Sequence, residues 1–247
     1  MKGLHLLKTA SHLSNFAQTF LNIRSLFEQI LLPQQCVLCA AHAGKQPLCE
    51  GCFADLPWLP AQRCPVCALP TPDGSTCGAC LKQAPAFSTT HCTLAYGFPL
   101  DVLLQRFKYE QQLGLAGALA TLLQAAAPDT AQLDLVIPTP LHPERLQQRG
   151  FNQVVEMLRP WVPADKLARQ LLHHTRNQPH QADLPWAQRA SNVKGAYRCT
   201  ADLSDKRVAL VDDVMTTGAT LRELAKVVRK AGASHVECWV LARTLPA

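Results

Sequence analysis

The chain has 247 residues, with 24 Lys and Arg against 18 Asp and Glu, a net charge of +6, and 11 cysteines. A hydrophobic fraction of 48% with 17% charged residues excludes a disordered chain and leaves apolar material for a core in one or two domains. The charge excess suits a polyanionic ligand without requiring one, and 6% aromatic residues make base-stacking platforms sparse.

Residues 1–35 carry an amphipathic helix over 13–32, where Leu13, Phe16, Phe20, Ile23, Phe27 and Ile30 recur at helical spacing. Pro33 ends it. The stripe is expected to pack on protein, because the polar face is poor in Lys and Arg; membrane-surface attachment is the alternative. His5, Lys8, Ser11, His12 and Asn15 interrupt the preceding apolar run, so no secretory leader is expected. No run approaches the ~18 apolar residues of a spanning helix, and a cytoplasmic location is expected.

Residues 36–85 hold eight of the 11 cysteines in four CxxC pairs: Cys36/Cys39, Cys49/Cys52, Cys64/Cys67 and Cys77/Cys80. Adding 28 to 36, 39, 49 and 52 gives 64, 67, 77 and 80, so the segment is a tandem repeat. Two CxxC knuckles supply four thiolates to one tetrahedral zinc, and two structural zincs are expected. A disulfide framework would need an oxidising compartment. Spacing leaves the pairing open: each repeat could hold its own zinc, or knuckles could combine across repeats. Four thiolates leave no position for water or substrate, so the sites are read as structural. A docking ribbon for nucleic acid is the weaker reading, because Lys45 and Arg63 are outweighed there by Glu50, Asp55 and Asp73.

After a connector at 81–89, residues 89–247 alternate strand and helix patterns. Strands are expected at Thr89–Gly97, Leu133–Ile137, Arg207–Val211 and His235–Ala242. Helices are expected at Leu100–Phe107, Leu115–Ala126, part of Val154–Trp161, and Ala219–Lys230. This alternation predicts an α/β fold: a parallel sheet with helices on both faces, following a small zinc-ribbon domain. Cys92 and Cys238 fall in strand-like runs and are expected in the core.

The chemistry concentrates in VALVDDVMTTGATL, residues 208–221. A buried strand leads into Asp212 and Asp213, where open α/β sheets bind ligands. Thr216, Thr217, Gly218, Ala219 and Thr220 then form a loop opening a helix, a phosphate cradle of hydroxyls and backbone N–H groups. Carboxylates beside a phosphate cradle suit a sugar phosphate.

The pattern V-x-L-V-D-D-V-x-T-T-G-x-T is similar to the phosphoribosyl-pyrophosphate (PRPP) motif of type I phosphoribosyltransferases. With Arg149-Gly150-Phe151-Asn152-Gln153, the later Arg176, Gln181, Arg189, Asn192 and Val193, and the CxxC ribbon, the chain resembles the ComF family of competence and DNA-utilisation proteins over about residues 30–245. The resemblance implies a type I phosphoribosyltransferase-like domain over 89–247. In it, Asp212 and Asp213 would bind ribose hydroxyls and Thr216–Thr220 the 5-phosphate. Thr139, Pro140 and Leu141 would form the pyrophosphate loop, and Mg2+ would bridge substrate oxygens. A hood at about 142–200 would cover the site. From Arg145 to Arg198 nine basic residues face three acidic ones, and Arg149 and Arg176 are the best candidates for pyrophosphate contacts. His173, His174 and His180 lack firm ligand spacing and are read as hood histidines. Some base-transferring relatives carry an acid where Thr216 stands, so a general base at that position is not expected. The resemblance implies transfer to an unknown acceptor, a nucleobase or amine. The alternatives are a catalytically inactive PRPP sensor and a component binding single-stranded DNA or competence-machinery proteins.

Overall fold

A computed structural model describes residues 35–44, 46–175 and 193–246. The predicted helix at 13–32 and Arg176 lie outside the described residues. The described chain divides into two compact units, one ending at Ala54 and the other beginning at Asp55.

The first unit contains one cysteine repeat and a short helix α1 (Glu50–Ala54). Its partner repeat, in the second unit, ends in α2 (Gly78–Lys82). The 28-residue offset holds down to single hydrogen bonds. Bridge Gln35↔His42 is repeated as Arg63↔Pro70. Phe53 N–H donates to the Cys49 carbonyl, and Leu81 N–H to the Cys77 carbonyl. Ala40 and Ala68 share the left-handed conformation, φ 60 and 58, that turns each first knuckle back on itself.

The second unit is built on β1 (Thr90–His91), β2 (Leu94–Ala95), β3 (Leu135–Pro138), β6 (Arg207–Met215) and β7 (His235–Arg243). The sheet order is β1-β7-β6-β3, with β2 also on β7, and every pairing is parallel. The expected single strand at 89–97 is two short pieces. Its free edge is strapped by residues 57–59: Leu59 N–H donates to the Thr93 carbonyl and Ala95 N–H to that of Pro57.

Alternation along the strands sorts the layers. Val208, Leu210, Val236 and Cys238 cluster with Leu221, Leu224, Ala225 and Val228 of α7 (Ala219–Lys230). On the opposite face Trp239 stacks on Trp161 at 5.7 Å between ring centres. There α4 (Ala116–Ala126) packs on β7 and α6 (Gln153–Leu158) on β6. Helix α3 (Leu100–Tyr109) buries Leu100, Leu103, Leu104 and Phe107. This is the expected parallel sheet with helices on both faces.

Two elements were not anticipated. Helix α5 (Pro143–Arg149) starts with His142 Nδ1 accepting from Glu144 N–H at 3.4 Å, has proline in its first turn, and stops at Gly150, φ 76. Strands β4 (Leu172–His174) and β5 (Tyr197–Cys199) form a separate antiparallel pair, and β5 packs on α7. Among the described residues, no helix is long and apolar enough to cross a membrane.

Candidate functional site

β3 pairs with β6 only as far as Pro138↔Val211. Residues 212–215 of β6 therefore run past β3 while still paired to β7. This puts the two acids at the carboxyl end of a central strand, as the motif implied. Alternation then sends their side chains to opposite faces.

Asp212 lines a recess with Met215, Thr216, Gly218, Ala219 and Thr220. Its Oδ1 accepts from Asp213 N–H at 2.9 Å. Burial, and then the Asp213 charge beside it, push its carboxyl up to about 8. Asp213 faces the other way. Its Oδ2 accepts from Lys108 Nζ at 2.5 Å and Gln153 Nε2 at 3.0 Å, and its Oδ1 from Val214 N–H at 2.7 Å. Burial would raise its pKa, but the Lys108 ammonium and these hydrogen bonds outweigh burial and hold the carboxyl below its ordinary value.

The loop after β6 is shaped by Gly218. Its φ is 77, and a Cβ there would stand 2.7 Å from Met215 Cε. The loop thus folds tightly over the buried Met215 and opens α7. The first amides of α7 lack intrahelical acceptors and sit at the positive end of its dipole. Ala219 N–H is taken by Thr217 Oγ1 at 3.2 Å. The donor set, hydroxyls and amides at a helix start beside one carboxylate, fits a phosphorylated sugar. The Asp212 carboxylate is also the kind of oxygen ligand that Mg2+ takes beside substrate oxygens and water.

The Pro138–His142 turn borders this end of the sheet. Thr139 N–H and Oγ1 both donate to the Val211 carbonyl at 2.8 Å. The Thr139 carbonyl accepts from Asn152 Nδ2 at 3.0 Å. Thr139 therefore pins the turn to β6, while Pro140 and Leu141 are half-buried. Arg149 is buried; its Nη1 donates to Gln153 Oε1 at 2.9 Å, and its guanidinium lies 5.0 Å over the Tyr109 ring. Tyr109, Arg149, Gln153, Asp213 and Lys108 thus form one continuous chain.

Sequence reasoning missed Lys108, Tyr109, Tyr197 and the stacking of His142. Tyr197 lies near Thr220, and burial first, then the Asp212 charge, push its phenol up to about 12. Its ring meets His174 edge-on at 5.0 Å, and His174 meets His142 at 5.0 Å. No local pattern marks Lys108, which is simply a basic residue in the last turn of α3.

The cysteines resolve into two tetrads, Cys36/Cys39/Cys49/Cys52 and Cys64/Cys67/Cys77/Cys80, with all ligand atoms of a tetrad within 4.8 Å. Each repeat supplies its own site, which answers the pairing that spacing left open. Cys39 and Cys49 Sγ are 3.6 Å apart, as are Cys67 and Cys77. Zinc with ~2.3 Å bonds in a tetrahedron places sulfurs about 3.8 Å apart. The tetrads fit zinc of the closed, structural kind.

Comparison with known proteins agrees with both halves. A double zinc ribbon domain matches residues 27–81 and a phosphoribosyl transferase domain residues 162–245. The chain is 34% identical to competence protein F of Haemophilus influenzae, over 85% of this chain and 96% of that protein. It is 33% identical to the DNA utilization protein YhgH of Escherichia coli, over 74% of this chain and 84% of that protein. Competence protein ComFC of Streptococcus pneumoniae is 25% identical over 79% of this chain and 87% of that protein.

Proposed function

We propose, from the premise that the chain belongs to the ComF family of competence and DNA-utilisation proteins, that it binds PRPP with Mg2+ and acts in DNA uptake or the use of DNA as a nutrient. The observation that carries this reading is the recess where Asp212 meets the Thr216–Thr220 loop at the start of α7. The loop amides and hydroxyls hold the 5-phosphate. Asp212 accepts hydrogen bonds from the ribose hydroxyls. Asp213, saturated by Lys108, Gln153 and Val214, fixes the end of β6. Thr139, Pro140 and Leu141 border the pyrophosphate, and Arg149 supplies positive charge on that side; Arg176, outside the described residues, is the further candidate for a pyrophosphate contact.

In the catalytic form of the proposal, a nitrogen of a nucleobase or amine attacks the ribose C1 as the C1–O bond to pyrophosphate breaks. Mg2+ when bound neutralises charge on the departing pyrophosphate. The hood elements β4 and β5, with Tyr197 against Thr220, shield the reacting carbon from water. A second reading, PRPP sensing without transfer, is favoured by a specific feature. Thr216 stands where some base-transferring relatives carry an acid and orotate-type relatives carry Thr, and both Asp213 oxygens are engaged, so neither residue serves as a general base.

The deciding experiment is calorimetric titration of PRPP with Mg2+ into the zinc-loaded full chain and its Asp212→Ala variant. Saturable binding that the variant loses supports the site. No binding by the parent chain overturns it. Pyrophosphate release across a panel of nucleobases and amines separates transfer from sensing, and salt-dependent binding of single-stranded DNA tests a direct role for the basic hood.

A further inference from the structure

The second cysteine tetrad does more than staple its own ribbon. Three consecutive carbonyls of its first knuckle, Pro65, Val66 and Cys67, all accept from the α/β fold. Thr89 Oγ1 donates to Pro65 at 2.8 Å and Thr90 Oγ1 to Val66 at 2.7 Å. Arg243 Nε donates to Cys67 at 2.9 Å.

Arg243, at the end of β7, is 4% exposed. Its Nη1 donates to the carbonyls of Met215, at 2.7 Å, Thr216 and Thr244. One buried guanidinium thus ties the first knuckle to the residues where β6 becomes the phosphate loop. A second arginine does the same at the far end of that loop. Arg222, in the first turn of α7, donates through Nη1 to the Gln83 carbonyl at 3.1 Å and through Nη2 to Cys80 Sγ at 3.8 Å. Cys80 belongs to the second knuckle of the same tetrad.

We infer that the second zinc positions the candidate phosphate loop: by holding its two knuckles together, it fixes Arg243 and Arg222, which grip the two ends of residues 215–222. The tetrahedron sets the distance between the knuckles, and each knuckle carries one loop-anchoring contact. Arg243 and Arg222 are positioning residues in this scheme and touch no substrate. Ala68, the left-handed residue closing the first knuckle, is 1% exposed within the hydrophobic cluster shared with α7, so loosening the knuckle reaches the core beneath the loop. The first tetrad, whose ligands belong to the other compact unit, is the internal control.

The effect on the loop stands alone; the effect on PRPP rests on the function proposed above. The test uses the zinc-loaded full chain and the variants Cys77→Ser, Cys49→Ser and Arg222→Ala. Three readouts are taken: zinc content, amide exchange of a peptide spanning 214–221, and PRPP–Mg2+ affinity. Cys77→Ser and Cys49→Ser are each expected to lose one zinc of two. Exchange in 214–221 is expected to rise about tenfold in Cys77→Ser and Arg222→Ala, the scale of one charge-assisted hydrogen bond, and to stay at the parent level in Cys49→Ser. Arg222→Ala retains both zincs, so it reads the link even if Cys77→Ser fails to fold. Parent-like exchange in Arg222→Ala overturns the inference, as does equal loosening by Cys49→Ser. A parent chain that binds no PRPP while its loop still responds to Arg222→Ala overturns the functional reading and leaves the coupling standing. A weakening of PRPP affinity in Arg222→Ala, with exchange raised, supports both.

Discussion

Lys108 Nζ lies 2.5 Å from Asp213 Oδ2, with side chains only 16% and 8% exposed, so the second acid of the motif is neutralised by a residue more than a hundred positions earlier in the chain. Gln153 completes the arrangement by bridging Asp213 to Arg149. The two adjacent carboxylates are therefore unequal. Asp212 faces the recess under the Thr216–Thr220 loop, and Asp213 faces the helices behind it.

Lys108→Met removes the cation and leaves Asp213 buried with only neutral donors. Breaking a buried pair from one side costs about 3–5 kcal/mol, and chemical denaturation is expected to show a loss near the lower end because Gln153 and the Val214 amide remain. The pH dependence follows from the lowered Asp213 pKa. The pair contributes stability above the unfolded carboxyl pKa of ~3.9, and that contribution is lost as pH falls through the lower folded value. The parent's advantage over Lys108→Met should therefore be full at pH 7 and shrink on acidification below about 4. An advantage independent of pH would remove the ion pair as its cause.

Asp212 carries the opposite shift. With a folded pKa of about 8, it opposes folding as soon as pH exceeds the unfolded value, and the cost grows until about 8. Asp212→Asn is accordingly expected to melt higher than the parent at pH 8, by about 2–4 °C for each kcal/mol recovered, and to match it near pH 4. The same variant should lose PRPP binding. In the parent, affinity should rise between pH 7 and 9 as the carboxyl ionises and accepts from the ribose hydroxyls. Calorimetry in buffers of differing ionisation heat should register proton release on binding. Affinity flat across that range would remove Asp212 from ribose recognition.

The sequence made most of this architecture legible because its signals were local. The continuous apolar run at 208–211 marked a central strand, and the 28-residue cysteine offset reappears in hydrogen bonds, bridges and left-handed alanines alike. Helix α5 was also written locally, in the proline of its first turn and in Gly150, but was overlooked beside the stronger strand pattern. What could not be read was pairing across distance. Lys108 finds Asp213 only because α3 returns to the end of β6, and Arg243 finds Cys67 only because β7 closes beside the ribbon. The pairing of the knuckles was likewise a question of space, since equal spacings permit either combination.

Gly218→Ala tests the shape of the loop without touching its donors. The backbone there has φ 77, and the new Cβ would stand 2.7 Å from Met215 Cε. The left-handed conformation alone costs an alanine about 1–2 kcal/mol. The terminal methyl of Met215 can swing aside, so the steric part is the cheaper one. Denaturation is expected to show a loss of about 1–3 kcal/mol. Gly218→Asn should lose less, because asparagine tolerates positive φ better while presenting the same Cβ. Equal losses in the two variants would show that the contact with Met215, not the backbone angle, demands glycine.

Tyr197→Phe isolates the hydroxyl that lies near Thr220, where β5 packs on α7. Burial and the neighbouring Asp212 charge keep the phenol protonated far above neutral pH, so it acts as a hydrogen-bonding group throughout the working range. The ring contact with His174 survives the substitution, and only the hydroxyl near Thr220 and Asp212 is lost. A net cost of about 1 kcal/mol is expected in denaturation, with amide exchange rising in β5 and at the start of α7 together. PRPP–Mg2+ affinity should fall several-fold, because the hydroxyl stands near Thr220 at the edge of the recess. If only β5 loosens and affinity is unchanged, Tyr197 secures the hairpin and has no part in shaping the site.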